Sequence, residues 1–242
     1  FQNNAHIQAF IGPDRKQTEI YKTERMCWNE WGAFKSHGFD DSAVVGNLFV
    51  ENYKGLFLDT DFNGALISAN VFLRNHAHSL ILERNRPEGP QTHVLNNVFI
   101  DNGENDVRAM DLSYTTIAHN LFIKNPALNA YDREYYDLIR SAPVYFQFNY
   151  RPGTRRRRRR VSVRENRVLN NIFLRHTASV FVLPPDDLPQ PLRTYYRDNR
   201  FDYNVIESPR FGVHSYEFFD KTKRRITGIR EVGLDAWQDR MG

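Results

Sequence analysis

The sequence predicts an all-β fold, a right-handed parallel β-helix built as a solenoid of rungs about 23–28 residues long. Two observations predict it. An Asn-x-Phe unit recurs at near-constant spacing, and the stretches between the units are short apolar runs. No such run is long enough to make a useful helix.

The repeat occurs at Asn47-Leu48-Phe49, Asn70-Val71-Phe72, Asn97-Val98-Phe99, Asn120-Leu121-Phe122, Asn171-Ile172-Phe173 and Asn199-Arg200-Phe201. The spacings are 23, 27, 23, 51 and 28 residues. The spacing of 51 corresponds to two rungs, or to one rung with an insertion. Four units end in a further asparagine, at Asn52, Asn75, Asn102 and Asn125. Gly32–Asn47 (GAFKSHGFDDSAVVGN) and Gly55–Asn70 (GLFLDTDFNGALISAN) align without gaps, with Gly, Phe and Asn recurring 23 residues apart.

Each unit holds short alternating runs such as Ala43-Val45, Leu66-Ile67 and Leu80-Leu82. One rung cannot bury its own inner face, whereas stacked rungs share a continuous core. Asn suits the bend because it tolerates left-handed backbone. Stacked Asn side chains can hydrogen-bond from rung to rung. The Phe two residues on is then expected to stack inside as a ladder. Leucine-rich repeats need a denser leucine signature, and a β-sandwich gives no reason for a constant Asn-x-Phe period.

The whole of residues 1–242 is read as one β-helix domain. A Tyr- and Arg-rich loop is inserted at about 126–165, a second loop covers PPDDLPQP (Pro184–Pro191), and a helix-like cap covers 221–242. The chain begins at Phe1 and is expected to be a piece of a longer bacterial-type secreted or periplasmic protein, its signal peptide lying outside this stretch.

Composition narrows the function classes. The net charge of +4 is local: without Arg155–Arg160 the balance would be −2. Nucleic acid is therefore not an expected partner, and the arginine run reads as a solvated loop. No apolar run reaches the ~18 residues of a membrane span. The lone Cys27 permits no intrachain disulfide and no cysteine-based zinc site.

Three apolar runs end in a carboxylate: GLFLD at Asp59, SLILE at Glu83 and VRAMD at Asp111, at offsets of 12, 13 and 14 from the preceding repeat Asn. Alternation turns Leu56, Leu58, Leu80 and Leu82 inward and Asp59 and Glu83 outward. Carboxylates on successive rungs then lie near one strand spacing, about 4.7–4.9 Å. Carboxyl groups about 5–5.5 Å apart suit retaining glycoside hydrolysis. The plain alternative is acidic residues ending strands on a solvated face. Lys35, His37, Trp28 and Trp31 precede the pair, and Phe57 alternates to the side of Asp59. Together with Asp61 and Asp111 they are the expected substrate-binding residues, a groove with aromatic faces and polar groups suited to an oligosaccharide or polysaccharide.

Trp31–Asn102 resembles parallel β-helix glycoside hydrolases, most closely the β-xylosidases of glycoside hydrolase family 120. The segments that carry the resemblance are WGAFKSHGFDDSAVVGN, GLFLDTD, LILERN and HVLNNVFIDN. It implies Asp59 as nucleophile and Glu83 as general acid/base, with Lys35 and His37 near the sugar and no cofactor. Two other readings stay open on the same fold. One is a polysaccharide lyase, with calcium on Asp59, Asp61 and Asp111 and with Lys35 or Arg108 as base. The other is a non-catalytic carbohydrate-binding module.

Overall fold

The computed structural model describes residues 32–86, 89–124, 142–147, 162–175, 181–183, 196–207, 213–220 and 225–232. These residues are all-β, with no helix among them. The first unit supplies β1 (Phe34–His37), β2 (Ala43–Val45) and β3 (Leu48–Val50). The second supplies β4 (Leu56–Asp59), β5 (Leu66–Ser68) and β6 (Val71–Leu73), and the third β7 (Leu80–Glu83), β8 (Thr92–Leu95) and β9 (Val98–Ile100). The fourth supplies β10 (Val107–Met110), β11 (Thr115–Ala118) and β12 (Leu121–Ile123). Then follow β13 (Val144–Gln147), β14 (Val163–Arg164), β15 (Arg167–Leu169) and β16 (Ile172–Leu174). The sixth unit holds β17 (Phe181–Leu183), β18 (Tyr196–Arg197), β19 (Arg200–Asp202) and β20 (Val205–Glu207), and β21 (Val213–Asp220) and β22 (Arg225–Val232) close the described chain.

Three sheets take one strand from each unit. Their orders are β1-β4-β7-β10-β13-β17-β21-β22, β2-β5-β8-β11-β15-β19 and β3-β6-β9-β12-β16-β20. Every neighbouring pair in them is parallel except β21–β22. This connectivity is compatible with a stacked solenoid.

The core follows from alternation. Leu56, Leu58, Leu80, Leu82, Val107, Ala109, Val144 and Phe146 point inward from the first sheet and are fully buried. Across the interior, Phe49, Phe72, Phe99, Phe122 and Phe173 stack face to face, with ring centroids 4.7–4.8 Å apart and planes within 7° of parallel. Parallel in-register strands set that spacing, so identical residues must stack on themselves.

Asparagine ladders run beside the rings. Asn70 Oδ1 accepts from both the backbone N–H and Nδ2 of Asn47, at 2.9 and 3.1 Å. The same pair of bonds carries the ladder through Asn97, Asn120, Asn171 and Asn204. The left-handed residue is not the ladder Asn but the one before it: Gly46, Ala69, Asn96, His119, Asn170 and Tyr203 all have φ of 54–69°. The Asn is therefore selected for its hydrogen bonds more than for its backbone.

A second ladder joins Asn52, Asn75 and Asn102. Among the described residues its last member, Asn102, meets Asp106, whose Oδ1 accepts from Asn102 Nδ2 at 2.8 Å. Beside it the buried Lys124 Nζ donates to the carbonyls of Asn102, Gly103 and Glu104. Burial pushes Asp106 up to about 6, against the opposing pull of Lys124 and the Asn102 hydrogen bond. Burial also lowers Lys124. Asn125 lies outside the described residues.

Several expectations need correction. Phe122 pairs directly with Phe173, so the 51-residue spacing is one rung with an insertion. The inserted stretch is not all loop, because β13 lies within it, in register between β10 and β17. Asn199-Arg200-Phe201 is not the sixth member of the main repeat. Phe201 pairs with Val168, and Asn204-Val205-Ile206 takes the repeat position instead. Each late unit carries an Asn at two bends, and the Phe after Asn199 mimics the main motif. The ungapped alignment slips by one residue in the first sheet, where Phe34 pairs with Leu56 and Lys35 with Phe57. Phe34 packs against the core, and the alternation demands that register. Residues 225–232 are extended rather than helix-like, in keeping with the β-branched Ile226, Thr227, Ile229 and Val232. The rest of the 126–165 insert, with Arg155–Arg160, and the Pro184–Pro191 loop lie outside the described residues.

Candidate functional site

The outward face of the first sheet carries two columns of side chains. Lys35, Phe57, Ile81, Arg108 and Tyr145 are Cα partners along one, and His37, Asp59, Glu83, Met110 and Gln147 along the other. Asp59 and Glu83 are thus direct partners on adjacent parallel strands. Both side chains are largely but not fully covered, at 13% and 15% exposure.

Each carboxylate has one oxygen held by basic side chains. Lys35 Nζ lies 2.9 Å from Asp59 Oδ2, and His37 Nε2 lies 3.4 Å from the same oxygen. Thr60 Oγ1 lies 3.2 Å from His37 Nδ1 and fixes the ring. On Glu83, Oε1 accepts from Arg84 Nε at 3.1 Å and also from Nη2. Among the described residues these contacts fall on Asp59 Oδ2 and Glu83 Oε1 alone, and Asp59 Oδ1 and Glu83 Oε2 carry no ion pair or hydrogen bond.

Phe57 stands on the outward side as alternation requires, yet it is only 3% exposed. The ammonium of Lys35 lies 4.8 Å from its ring centroid and that of the buried Lys54 lies 5.6 Å away. Its ring supports Lys35, a cation–π contact, instead of offering a face to a sugar. His37 is the exposed member of the cluster, with 63% of its side chain accessible.

The third carboxylate does not join. Met110, not Asp111, pairs with Glu83. Asp111 lies one residue further, at φ 50°, and is buried. A one-residue slip moves a side chain to the other face. Asp61 is exposed on the turn after β4, where its N–H donates to the Arg84 carbonyl at 2.9 Å. Among the described residues no three of His, Cys, Asp or Glu converge on a point that could hold a metal, so Asp59, Asp61 and Asp111 do not form the calcium cluster of the lyase alternative. Trp28 and Trp31 lie outside the described residues.

The structure adds Arg84, which sequence reasoning missed. Its left-handed backbone (φ 53°) is what lets it fold back onto the preceding Glu83, and nothing in the local sequence announces that. Further along the face, Arg108 donates through Nε and Nη2 to Gln147 Oε1, at 3.2 and 2.8 Å. Its Nη1 lies 2.7 Å from His78 Nε2. Polar groups therefore continue two strands beyond the carboxylate pair.

No family model, curated protein or solved structure matches this chain.

Proposed function

We propose that the chain is a retaining glycoside hydrolase acting on xylose-type or related plant polysaccharide sugars, on a right-handed parallel β-helix. The pairing of Asp59 with Glu83 on one outward face carries the reading. Partners in parallel register sit about 4.7–4.9 Å apart at the backbone. That backbone spacing supports a carboxyl separation of the ~5–5.5 Å that a double displacement uses. The handedness rests on the general rule that parallel crossovers in one sheet are right-handed.

In this mechanism Asp59 Oδ1 attacks the anomeric carbon while Oδ2 stays on Lys35 and His37. The C–O bond to the leaving sugar breaks, and Glu83 Oε2 delivers its proton to the departing oxygen. Glu83 then takes a proton from water, which attacks the anomeric carbon and releases Asp59. No cofactor takes part in these steps. The resemblance to family 120 β-xylosidases supports the same two roles.

The test is hydrolysis of aryl β-xylosides and xylo-oligosaccharides by the wild-type chain, Asp59→Ala and Glu83→Gln, with the anomeric configuration of the first-formed product followed by NMR. Retention, together with collapse of turnover in Asp59→Ala, is the expected result. Turnover that ignores Asp59 would sink the reading. A lyase would instead yield ultraviolet-absorbing unsaturated products, and a binding module no turnover in any variant.

A further inference from the structure

Arg84 is placed to do more than hold Glu83. Its guanidinium meets Glu83 through the Nε/Nη2 edge. The Nη1 end makes no ion pair or hydrogen bond among the described residues, and 35% of the side chain is accessible. A guanidinium presents donors on two edges, and the second suits a planar carboxylate bound in a fork. Of the exposed acids nearby, Asp40 is paired with Arg86. Arg86 also lies in the field of Asp61 and Asp41.

On this basis, and resting on the glycosidase reading, we propose that Arg84 is a specificity-determining residue for a carboxylate-bearing sugar. One edge orients the acid/base Glu83, and the other binds the carboxylate of a uronic acid unit on the substrate. The two functions share one rigid planar group, so a bound uronate would fix the geometry of Glu83. A neutral sugar would leave the outer edge to water. Lys35 is a poorer candidate for that task, because its ammonium is already committed to Asp59 and lies against the Phe57 ring.

The experiment compares binding of D-glucuronate and D-xylose by calorimetry in the wild-type chain, Arg84→Gln and Arg84→Lys. Thermal melts verify that each variant is folded. Wild type should prefer glucuronate by roughly ten- to a hundredfold, the scale of a charge-assisted hydrogen bond. Arg84→Gln should erase the preference and Arg84→Lys restore part of it. Equal affinities in wild type, or a preference that survives in Arg84→Gln, would overturn the proposal. Turnover of aryl β-xyloside and aryl β-glucuronide by wild type and Asp59→Ala is measured alongside. Asp59-dependent turnover without Arg84-dependent uronate preference overturns this inference alone. Arg84-dependent uronate binding without turnover overturns the hydrolase reading and, with it, the coupling to Glu83.

Discussion

Asp59 and Glu83 stand side by side as partners on one parallel strand pair, and the basic side chains bound to them come from opposite directions. Lys35 and His37 reach Asp59 from the preceding strand, and Arg84 reaches Glu83 from the following turn. The two carboxylates are therefore not equivalent.

The first prediction separates those roles. Asp59→Ala should lower kcat on every glycoside, with added azide restoring turnover by taking the place of the missing nucleophile. Glu83→Gln should lower kcat by about 10²–10⁴-fold, the usual worth of a general acid, on substrates with poor leaving groups. On a dinitrophenyl glycoside, whose leaving group needs no proton, the Glu83→Gln deficit in kcat/KM should nearly vanish, while kcat stays low because the base that activates water is still missing. Equal kcat/KM deficits on both substrates would contradict the assignment.

In the proposed hydrolase, Lys35 orients Asp59 through its contact with Oδ2 and does not touch the reacting atoms. Lys35→Met should lower kcat about tenfold or more with a smaller change in KM, consistent with loss of a charge-assisted hydrogen bond. Lys35→Arg should keep part of the activity, since a guanidinium can still reach Oδ2. A Lys35→Met effect confined to KM would make Lys35 a binding residue instead.

The repeat, the Phe ladder and the Asp59–Glu83 pair were legible in the sequence because stacking makes identical residues neighbours. Register was less legible. Counting from the repeat Asn gives offsets, but it does not reveal which turn absorbs an extra residue. Asp111 was misplaced for this reason: Met110, not Asp111, stands 13 residues after Asn97, as Glu83 does after Asn70. Arg84 was invisible because its role depends on a left-handed backbone. Phe57 was placed on the correct side, but its covering by Lys35 and Lys54 depends on side chains from neighbouring turns.

The Asn ladder should matter most in its middle. Asn97 is 1% exposed, accepts from Asn70 through two bonds, and donates to the Ile67 carbonyl at 2.9 Å. Asn97→Leu would strand a buried N–H and a buried carbonyl, costing about 1–3 kcal/mol for each group left unpaired. Asn47, at the start of the described ladder, is only partly buried and accepts no ladder bond from a preceding described Asn. Asn47→Leu should therefore cost less. Urea denaturation midpoints of the two variants check the ranking, and an equal loss would show that the ladder does not act cooperatively.

The last prediction concerns Asp106. Its folded-state pKa is raised from 3.8 to about 6, chiefly by burial. Its Oδ2 has no hydrogen-bond partner among the described residues. A carboxyl with a raised folded pKa binds protons more tightly in the folded state. Its contribution is therefore fully present below the unfolded pKa and is lost as pH rises through the folded one. The window runs from about pH 4 to about pH 6, and the pKa displacement corresponds to about 2–3 kcal/mol. Asp106→Asn keeps an acceptor for Asn102 but cannot ionise. The stability difference, wild type minus Asp106→Asn, should therefore fall by that amount between pH 4 and pH 7. Lys124 is coupled to this carboxyl: burial lowers it and the Asp106 charge raises it, while its ammonium also donates to three backbone carbonyls that remain when Asp106 is replaced. Taking the difference between the two proteins cancels the surface carboxylates, which titrate alike in both. Urea unfolding of the pair across pH 4–7 measures it. A difference that stays flat, or that rises with pH, would show that the Lys124 charge outweighs burial at this site.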